Sequence, residues 1–416
     1  MVALVKILLL ISGIAFVLLV LFTLNVLDVT NIVKTYEIIK RLDDDKSFPI
    51  LSGYRGATFD GEFVYYSPYY SNYGRHAEMI RYDISQDFKD PNAWEHIKIP
   101  PKIVWIDNGE EIIVNTSGFQ GILYDEPFVY YVPYHVDNKK GSVVLRYDTQ
   151  MEFNNPDAFQ HTGLFDVYED GVVHKNFMYL SPHLDFNNER NTVPLRYDSS
   201  KPFFDPNAWE QHDVKQNTSY IDAEVVMDKI FYAPWRTTNS TSSQIMIYDT
   251  NGSFKNDSSW EFIDIPYKGY SGAAFNGKYI VFSPGWCSIY DCNDNDSNFL
   301  FLEPTSLEIS YVHIPNASYN GIIDTGSILY PVPYYLKDNP IFLKIDGSEI
   351  EFFTPSIAKS AYWGGVFDGE FVYYSPYQFI NSDKRSNEFL RYDTSKDFSD
   401  ELAWETISLH VIDFER

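Results

Sequence analysis

The sequence repeats one short segment, FVYYSPY, at residues 63–69 and 371–377, with the near copy FVYYVPY at residues 128–134. Weaker copies between them are FMYLSPH (177–183), KIFYAPW (229–235), YIVFSPG (279–285) and ILYPVPY (328–334). Each copy joins β-branched and aromatic residues, which favour strands, to a proline that ends the run. The aligned prolines are Pro68, Pro133, Pro182, Pro234, Pro284, Pro333 and Pro376, so the repeat is close to 50 residues long.

Each repeat predicts four strands. A strand rich in Gly and Ala, such as residues 56–59, comes first, and the pair Asp60-Gly61 predicts a two-residue type I′ turn into the aromatic strand. After a polar loop, a third strand ends in Arg-Tyr-Asp, as at residues 81–83. A turn of the form Asp-Pro-Asn-Ala-Trp, as at residues 90–94, then leads to the fourth strand. Four strands at a fixed period of this length are typical of a β-propeller.

The sequence therefore predicts an all-β fold, a seven-bladed β-propeller of four-stranded antiparallel blades over residues 51–416, preceded by one transmembrane helix. Six or eight blades are alternatives, as is a pair of β-sandwiches, although sandwiches would not give a uniform period. We expect the small residues of the first strand to lie innermost, where blades converge, and the Trp of the fourth strand to fill the outer edge. Residues 100–117 are additional and predict a hairpin between blades one and two.

The period and the order of glycine followed by aromatic residues resemble propeller repeats of the Kelch-like class. The resemblance covers residues ~50–412 and is one of architecture. It implies the fold and carries over no site residue.

Composition excludes several classes of protein. The 416 residues include 58 Asp and Glu against 32 Lys and Arg, which gives a formal net charge of −26. Such an acidic chain does not fit a nucleic-acid-binding protein, which needs a basic surface to neutralise phosphates. A hydrophobic content of 44% excludes intrinsic disorder, and 2 Cys exclude a disulfide-dense scaffold.

The amino-terminal region predicts a membrane anchor. Residues 7–27 contain no charged side chain, and at ~1.5 Å per residue they would span a bilayer core of roughly 30 Å. Residues 1–6 then form a short tail and residues 28–50 a juxtamembrane stalk. A cleaved signal peptide is the alternative, but its apolar region is usually about 7–15 residues long. We expect a single-pass protein of the cell membrane.

Two features place the propeller on the extracytoplasmic side. Cys287 and Cys292 lie in one loop at a spacing that suits a local disulfide, the alternative being two free thiols. Glycosylation is predicted at the asparagines of seven Asn-x-Ser/Thr sequons. These are Asn115, Asn217, Asn239, Asn251, Asn256, Asn295 and Asn316.

The candidate ligand site is the mouth of the central channel. Aromatic rings bind carbohydrate and cationic ligands, and one aromatic precedes each aligned strand by nine residues. These are Tyr54, Phe119, Tyr168, Tyr220, Tyr270, Tyr319 and Tyr362. Packing between blades is the alternative role, because the residue type recurs in every repeat.

Positions that differ between blades suit specificity better. We therefore add to the site several residues that follow the ring aromatics, together with two from a loop of blade four. They are Arg55, Gln120, Glu169, Asn320, Trp363, Trp235 and Arg236.

No catalytic motif and no cofactor are predicted. The acidic run at residues 291–296 suggests calcium, but it lacks the glycine and the closing Glu of an EF-hand. The leading hypothesis is a membrane-anchored binding module for glycan or protein. The alternatives are a carbohydrate hydrolase or lyase that uses channel carboxylates, and a structural component of the cell envelope.

Overall fold

The computed structural model describes residues 51–410, with gaps at 108–109, 135–141, 185–191, 238–243, 268, 286–297, 316 and 336–337. The predicted tail, anchor and stalk lie outside the described residues. Among the residues that are described, no helix combines the length and the apolar character needed to cross a bilayer.

Seven four-stranded antiparallel sheets follow one another along the chain, which confirms the predicted seven blades. Blade one contains β1 (Tyr54–Phe59), β2 (Phe63–Pro68), a small hairpin of β3 (Tyr70–Ser71) and β4 (Gly74–Arg75), then β5 (Glu78–Asp83) and β6 (Trp94–Lys98). The predicted extra hairpin is β7 (Lys102–Asp107) with β8 (Glu110–Asn115). Blade two contains β9 (Phe119–Asp125), β10 (Phe128–Pro133), β11 (Ser142–Asp148) and β12 (Phe159–Phe165).

The remaining blades have the same strand order. Blade three contains β13 (Val167–His174), β14 (Phe177–Leu184), β15 (Leu195–Asp198) and β16 (Trp209–Gln211). Blade four contains β17 (Thr218–Val226), β18 (Lys229–Thr237), β19 (Gln244–Asp249) and β20 (Trp260–Asp264). Blade five contains β21 (Tyr270–Phe275), β22 (Ile280–Pro284), β23 (Asn298–Leu302) and β24 (Ile309–His313). Blade six contains β25 (Tyr319–Asp324), β26 (Ile328–Pro333), β27 (Phe342–Asp346) and β28 (Glu349–Phe353), and blade seven β29 (Ser360–Phe367), β30 (Phe371–Phe379), β31 (Glu388–Asp393) and β32 (Trp404–Ser408).

The first strand of every blade is innermost, as predicted. Each one contacts the first strands of the two neighbouring blades, and β29 contacts β1, so that blade seven closes against blade one. Two residues after the ring aromatic, five blades carry glycine. A Cβ atom on Gly364 would lie 2.8 Å from the Cα atom of Gly56, and one on Gly272 would lie 2.8 Å from the Cα atom of Gly321. The backbones therefore meet where a side chain has no room.

The third and fourth strands tie neighbouring blades together. The Arg81 guanidinium lies 3.7 Å from the centre of the Phe63 ring, binds the Glu95 carboxylate at 3.0 Å and donates to the Tyr147 hydroxyl of blade two at 3.3 Å. Short 3₁₀ helices precede the fourth strand at Pro91–Ala93, Pro156–Ala158, Pro206–Ala208, Asp257–Ser259 and Glu401–Ala403. Trp94 follows the first of these, is 2% exposed and donates to the Phe88 carbonyl, which confirms that it fills the outer edge.

The predicted type I′ turn is wrong by one residue. Asp60 and Phe63 face each other across the turn, so its central residues are Gly61 and Glu62, and only Gly61 has a positive φ, of 105°. Asp60 instead accepts hydrogen bonds from the Glu62 and Phe63 amides through Oδ1. The Asp side chain is therefore selected as a cap for the turn and not for a left-handed backbone.

Gly364→Ala tests the close approach at the channel. Gly364 has φ +67° and meets the Gly56 backbone, whereas Gly369 has φ +105° and nothing within 4 Å of a built Cβ. Alanine at either position brings left-handed strain of about 1–2 kcal/mol, and at Gly364 overpacking adds about 1–3 kcal/mol. We expect denaturant unfolding to show a larger loss in the free energy of unfolding for Gly364→Ala than for Gly369→Ala. Equal losses of stability in the two variants would contradict a steric limit at the channel.

Candidate functional site

The seven ring aromatics are buried in the cores between blades. Each is at most 2% exposed, and the hydroxyl groups of Tyr54 and Tyr319 donate to the carbonyls of Glu78 and Ile341, at 2.9 and 3.1 Å. Those carbonyls lie at or just before the third strands, so these two rings point outward from the channel. The burial of all seven agrees with the packing role considered for them.

The residues that follow the ring aromatics reach the channel instead. A cavity of about 30 Å³ lies on the axis. Its lining includes Gln120, Glu169, Ile221, Ser271, Asn320 and Trp363, which occupy this position in six blades. Gln120 and Asn320 are each 2% exposed, and their side-chain nitrogens have no hydrogen-bond partner among the described residues. The structure thus brings the predicted residues Gln120, Glu169, Asn320 and Trp363 together at this cavity, beside Ile221 and Ser271.

Arg55, the seventh residue of this set, is enclosed by aromatic rings. Its guanidinium carbon lies 3.5 Å from the centre of the Trp363 ring and 3.7 Å from that of Tyr69. It donates to the Gln120 side-chain oxygen and, at 3.3 Å, to the Tyr377 hydroxyl. Burial lowers the pKa of Arg55, but the surrounding hydroxyls and Glu169 more than offset this, so that its pKa is raised. Arg55 therefore stays protonated, and its side chain is buried, with 4% of the residue exposed.

A second ionisable contact lies within blade three. The His183 Nδ1 atom lies 3.2 Å from Glu169 Oε2, and both side chains are 3% exposed. The His183 ring also lies 5.3 Å from the Tyr134 ring, which in turn packs at 5.5 Å against Tyr69. The contacts around Arg55 thus continue from blade seven to blade three.

Sequence reasoning missed two aspartates in the ring of glycines. Asp170 and Asp222 occupy the glycine position in blades three and four, and both line the channel cavity. Burial raises the pKa of Asp222 to about 7, and burial together with the Asp222 charge raises the pKa of Asp170 well above its usual value. The signal was present in the sequence, because these are the two repeats that depart from glycine at that position.

Asp222 also links its blade to the next. Its Oδ2 atom accepts a hydrogen bond from the Ala273 amide of β21 at 3.0 Å. Two residues along β17, Glu224 accepts one from the Phe275 amide at 3.2 Å, and burial followed by the Asp324 charge raises the pKa of Glu224 to about 8. Both carboxyls therefore satisfy amides at the inner edge of blade five.

Trp235 and Arg236 lie near the end of β18. Trp235 is 8% exposed, and its ring lies so close to Gly285 of blade five that a Cβ there would be 2.6 Å from Cζ3. The carbonyl of Arg236 accepts a hydrogen bond from the Ser219 hydroxyl. Neither side chain lines the channel cavity.

The hairpin β3–β4, which the sequence did not predict, follows the second strand of blade one and lies at the rim of the channel mouth. We call the face on which first strands begin and second strands end the mouth face. The hairpin presents Tyr70, 36% exposed, and Tyr73, 83% exposed. The Arg385 amide of blade seven donates to the Asn72 side-chain oxygen at 2.7 Å and holds the hairpin against that blade.

Several predicted residues cannot be placed. Cys287, Cys292, Asn239, Asn295, Asn316 and the acidic run 291–296 lie outside the described residues, as does the side chain of Asn115. Asn217, Asn251 and Asn256 are exposed, as an acceptor for a glycan must be. Within the described ranges, no group of three or more His, Cys, Asp or Glu side chains is arranged to hold a metal ion.

No known protein-family model matches the sequence, and no curated protein matches it either. The resemblance to Kelch-like repeats therefore stays a prediction.

The buried carboxyls predict that stability falls as the pH rises from 6.5 to 8.5. A carboxyl whose pKa is raised by folding binds its proton more tightly in the folded protein, so deprotonation costs stability. Burial lowers the pKa of His76 and of His161 to about 4, so these two act in the opposite sense, but only below about pH 6.5. We expect the midpoint of thermal unfolding to fall by about 2–5 °C across this range.

The variant Asp170→Asn removes one channel carboxyl. Its control is Glu261→Gln, which removes an exposed carboxylate from the outermost strand of blade four. Asp170→Asn should reduce the fall of the unfolding midpoint with pH and raise the midpoint at pH 8.5, whereas Glu261→Gln should leave both unchanged. If the midpoint of Asp170→Asn falls with pH as steeply as that of the wild type, the channel aspartates do not cause the pH dependence.

Proposed function

We propose that this chain is a non-catalytic binding module that holds a glycan on its mouth face. The observation that carries the proposal is the hairpin β3–β4, a departure from the repeat that places two exposed tyrosines on the rim. Exposed aromatic rings with polar neighbours are suited to stacking on sugar rings. Positions where one blade differs from the others are also where a single ligand can be recognised.

The dimensions of the channel support binding at the rim over catalysis within it. A cavity of about 30 Å³ accommodates one or two water molecules, whereas ligand sites usually measure about 300–1,000 Å³. Of the three carboxyls that line the cavity, Asp222 accepts a hydrogen bond from the Ala273 amide and Glu169 lies 3.2 Å from His183 Nδ1. A hydrolase or lyase would need a cleft in which a sugar reaches these carboxyls.

The choice of glycan over protein follows from the composition of the rim. Protein interfaces usually bury about 800 Å² on each partner around an apolar core. Among the described residues, the exposed large apolar side chains other than Tyr70 and Tyr73 are scattered over the propeller: Ile113, Phe204, Met227, Ile341, Phe352 and Leu402. Tyr70 and Tyr73 of the hairpin each offer an aromatic ring of a size suited to stacking on a sugar unit.

We further propose that residues 7–27 anchor the propeller to the extracytoplasmic side of the membrane. The uncharged segment and the exposed sequons Asn217, Asn251 and Asn256 support this. A membrane-impermeant amine reagent applied to intact cells should label the exposed Lys175 and Lys255, whose side chains are 58% and 61% exposed. Labelling only after the cells are opened would contradict this location.

Binding is tested with the full chain, kept in detergent because of its apolar segment, on an array of glycans. Tyr70→Ala and Tyr73→Ala should each weaken binding by about 2- to 10-fold through loss of stacking. The matched control is Phe204→Ala, because Phe204 is 60% exposed but lies in the turn between β15 and β16, on the opposite face.

The proposal fails if no glycan binds, or if the tyrosine variants bind as the wild type does. A purely structural role in the cell envelope would give the first of these outcomes.

A further inference from the structure

The arginines of the repeat and those of the mouth face differ in their partners. Arg81, Arg196 and Arg391, at equivalent positions of third strands, each pair with a Glu of the neighbouring fourth strand. Arg146, the fourth of them, donates to the amide oxygen of Gln160. The guanidinium groups of all four also lie over phenylalanine rings, so each has structural partners within the propeller.

Arg75 and Arg385 are different. Within the part of the chain that the structure describes, neither has a carboxylate within 4 Å, and the Nε atom of Arg75 is buried without a hydrogen-bond partner. Both guanidinium groups approach the same ring: their central carbons lie 6.0 and 5.3 Å from the centre of Tyr70. Arg75 pairs directly with Tyr70 across the hairpin, whereas Arg385 comes from blade seven.

We propose that Arg75, Arg385 and Tyr70 form a site for an oxyanion carried by a sugar, either a carboxylate or a sulfate. The proposal rests on the glycan-binding function and names its ligand class. A guanidinium group presents paired N–H donors that match the oxygens of a carboxylate or a sulfate. Two guanidinium groups beside one aromatic ring would bind the anion while the ring stacks on the face of the sugar.

Packing accounts for only part of what the Arg385 side chain offers. The backbone amide of Arg385 holds the hairpin to blade seven, and its guanidinium donates to the Gln378 side-chain oxygen at 2.8 Å, which an uncharged side chain could also do. Burial raises the pKa of Tyr377, but the charges of Arg55 and Arg385 more than offset this, so the Arg385 charge also interacts with the Tyr377 hydroxyl. Two like charges near one ring repel each other, so an anion that joined them would relieve this repulsion.

The charge of the whole chain opposes the binding of anions. At a net charge of −26 the protein repels an acidic glycan, so the proposed site depends on the local positive charge of Arg75 and Arg385. Arg55 does not contribute to this site by direct contact, because it is 4% exposed and enclosed by Trp363 and Tyr69. It fixes Tyr377, and the Arg385 guanidinium lies 4.3 Å from the centre of the Tyr377 ring.

The test is an array that pairs uronate-bearing and sialylated glycans, sulfated glycans and their neutral counterparts, with the full chain in detergent. We expect the anionic members to bind and their affinity to fall at least ~3-fold between 50 and 300 mM salt. The carboxylated and sulfated arms identify which oxyanion is preferred. Arg75→Gln and Arg385→Gln should each lower the affinity for anionic glycans by roughly 10-fold or more.

Lys175→Gln is the control, since it removes the same charge from the opposite face, where Lys175 pairs with Asp228 at 2.6 Å. Unchanged thermal midpoints in the two arginine variants would establish that they are folded. Equal binding of neutral and anionic glycans, with no effect of the arginine variants, would overturn the anion site and leave the glycan-binding function standing. Binding of no glycan at all would overturn that function as well.

Discussion

The seven first strands can approach the channel axis only until their backbones meet, and this limit determines how large a side chain can be at each distance from the axis. Where Gly56 meets Gly364, and Gly272 meets Gly321, backbone lies against backbone and a methyl group has no room. The same contact closes the ring between the first and last blades. Bulk therefore increases outward along each blade, from glycine in the first strand through tyrosine in the second to Trp94 and its counterparts in the fourth.

Asp170 and Asp222 occupy the position that is glycine in the other five blades. In these two adjacent blades a carboxyl-bearing side chain lies where glycine has only a hydrogen atom, and the channel retains a polar cavity of about 30 Å³. The desolvation of these groups raises their pKa values, and hydrogen bonds from backbone amides offset part of that cost. Asp222 and Glu224 accept from the Ala273 and Phe275 amides, so side chains of blade four complete the unpaired inner edge of blade five. This arrangement is a structural use of acidic residues that composition alone could not distinguish from a catalytic one.

The period of the sequence was sufficient to predict the blade number, the strand order and the extra hairpin β7–β8, because each follows from spacing and strand propensity. The turn at Asp60 was predicted one residue away from its true position, since an Asp that caps a turn and an Asp that adopts a left-handed backbone look alike in sequence. Positions directly after the ring aromatics were predicted as part of the site because they differ between blades, but the next position, which holds Asp170 and Asp222, was missed. The hairpin β3–β4 has two-residue strands, too short for any periodicity to indicate.

A propeller built from one repeat makes its departures informative. Arg81, Arg196 and Arg391 each have a Glu partner in the neighbouring strand, so charge and countercharge recur together in three blades. Arg75 and Arg385 lie outside that unit, between the second and third strands, where the connecting segments differ in length from blade to blade. An acidic chain has many carboxylates with which to neutralise two arginines. Among the described residues no carboxylate lies within 4 Å of either arginine, and both lie beside an exposed tyrosine on the face where the repeat is broken. This placement is the strongest support for the proposal that the rim recognises a ligand while the channel behind it serves packing.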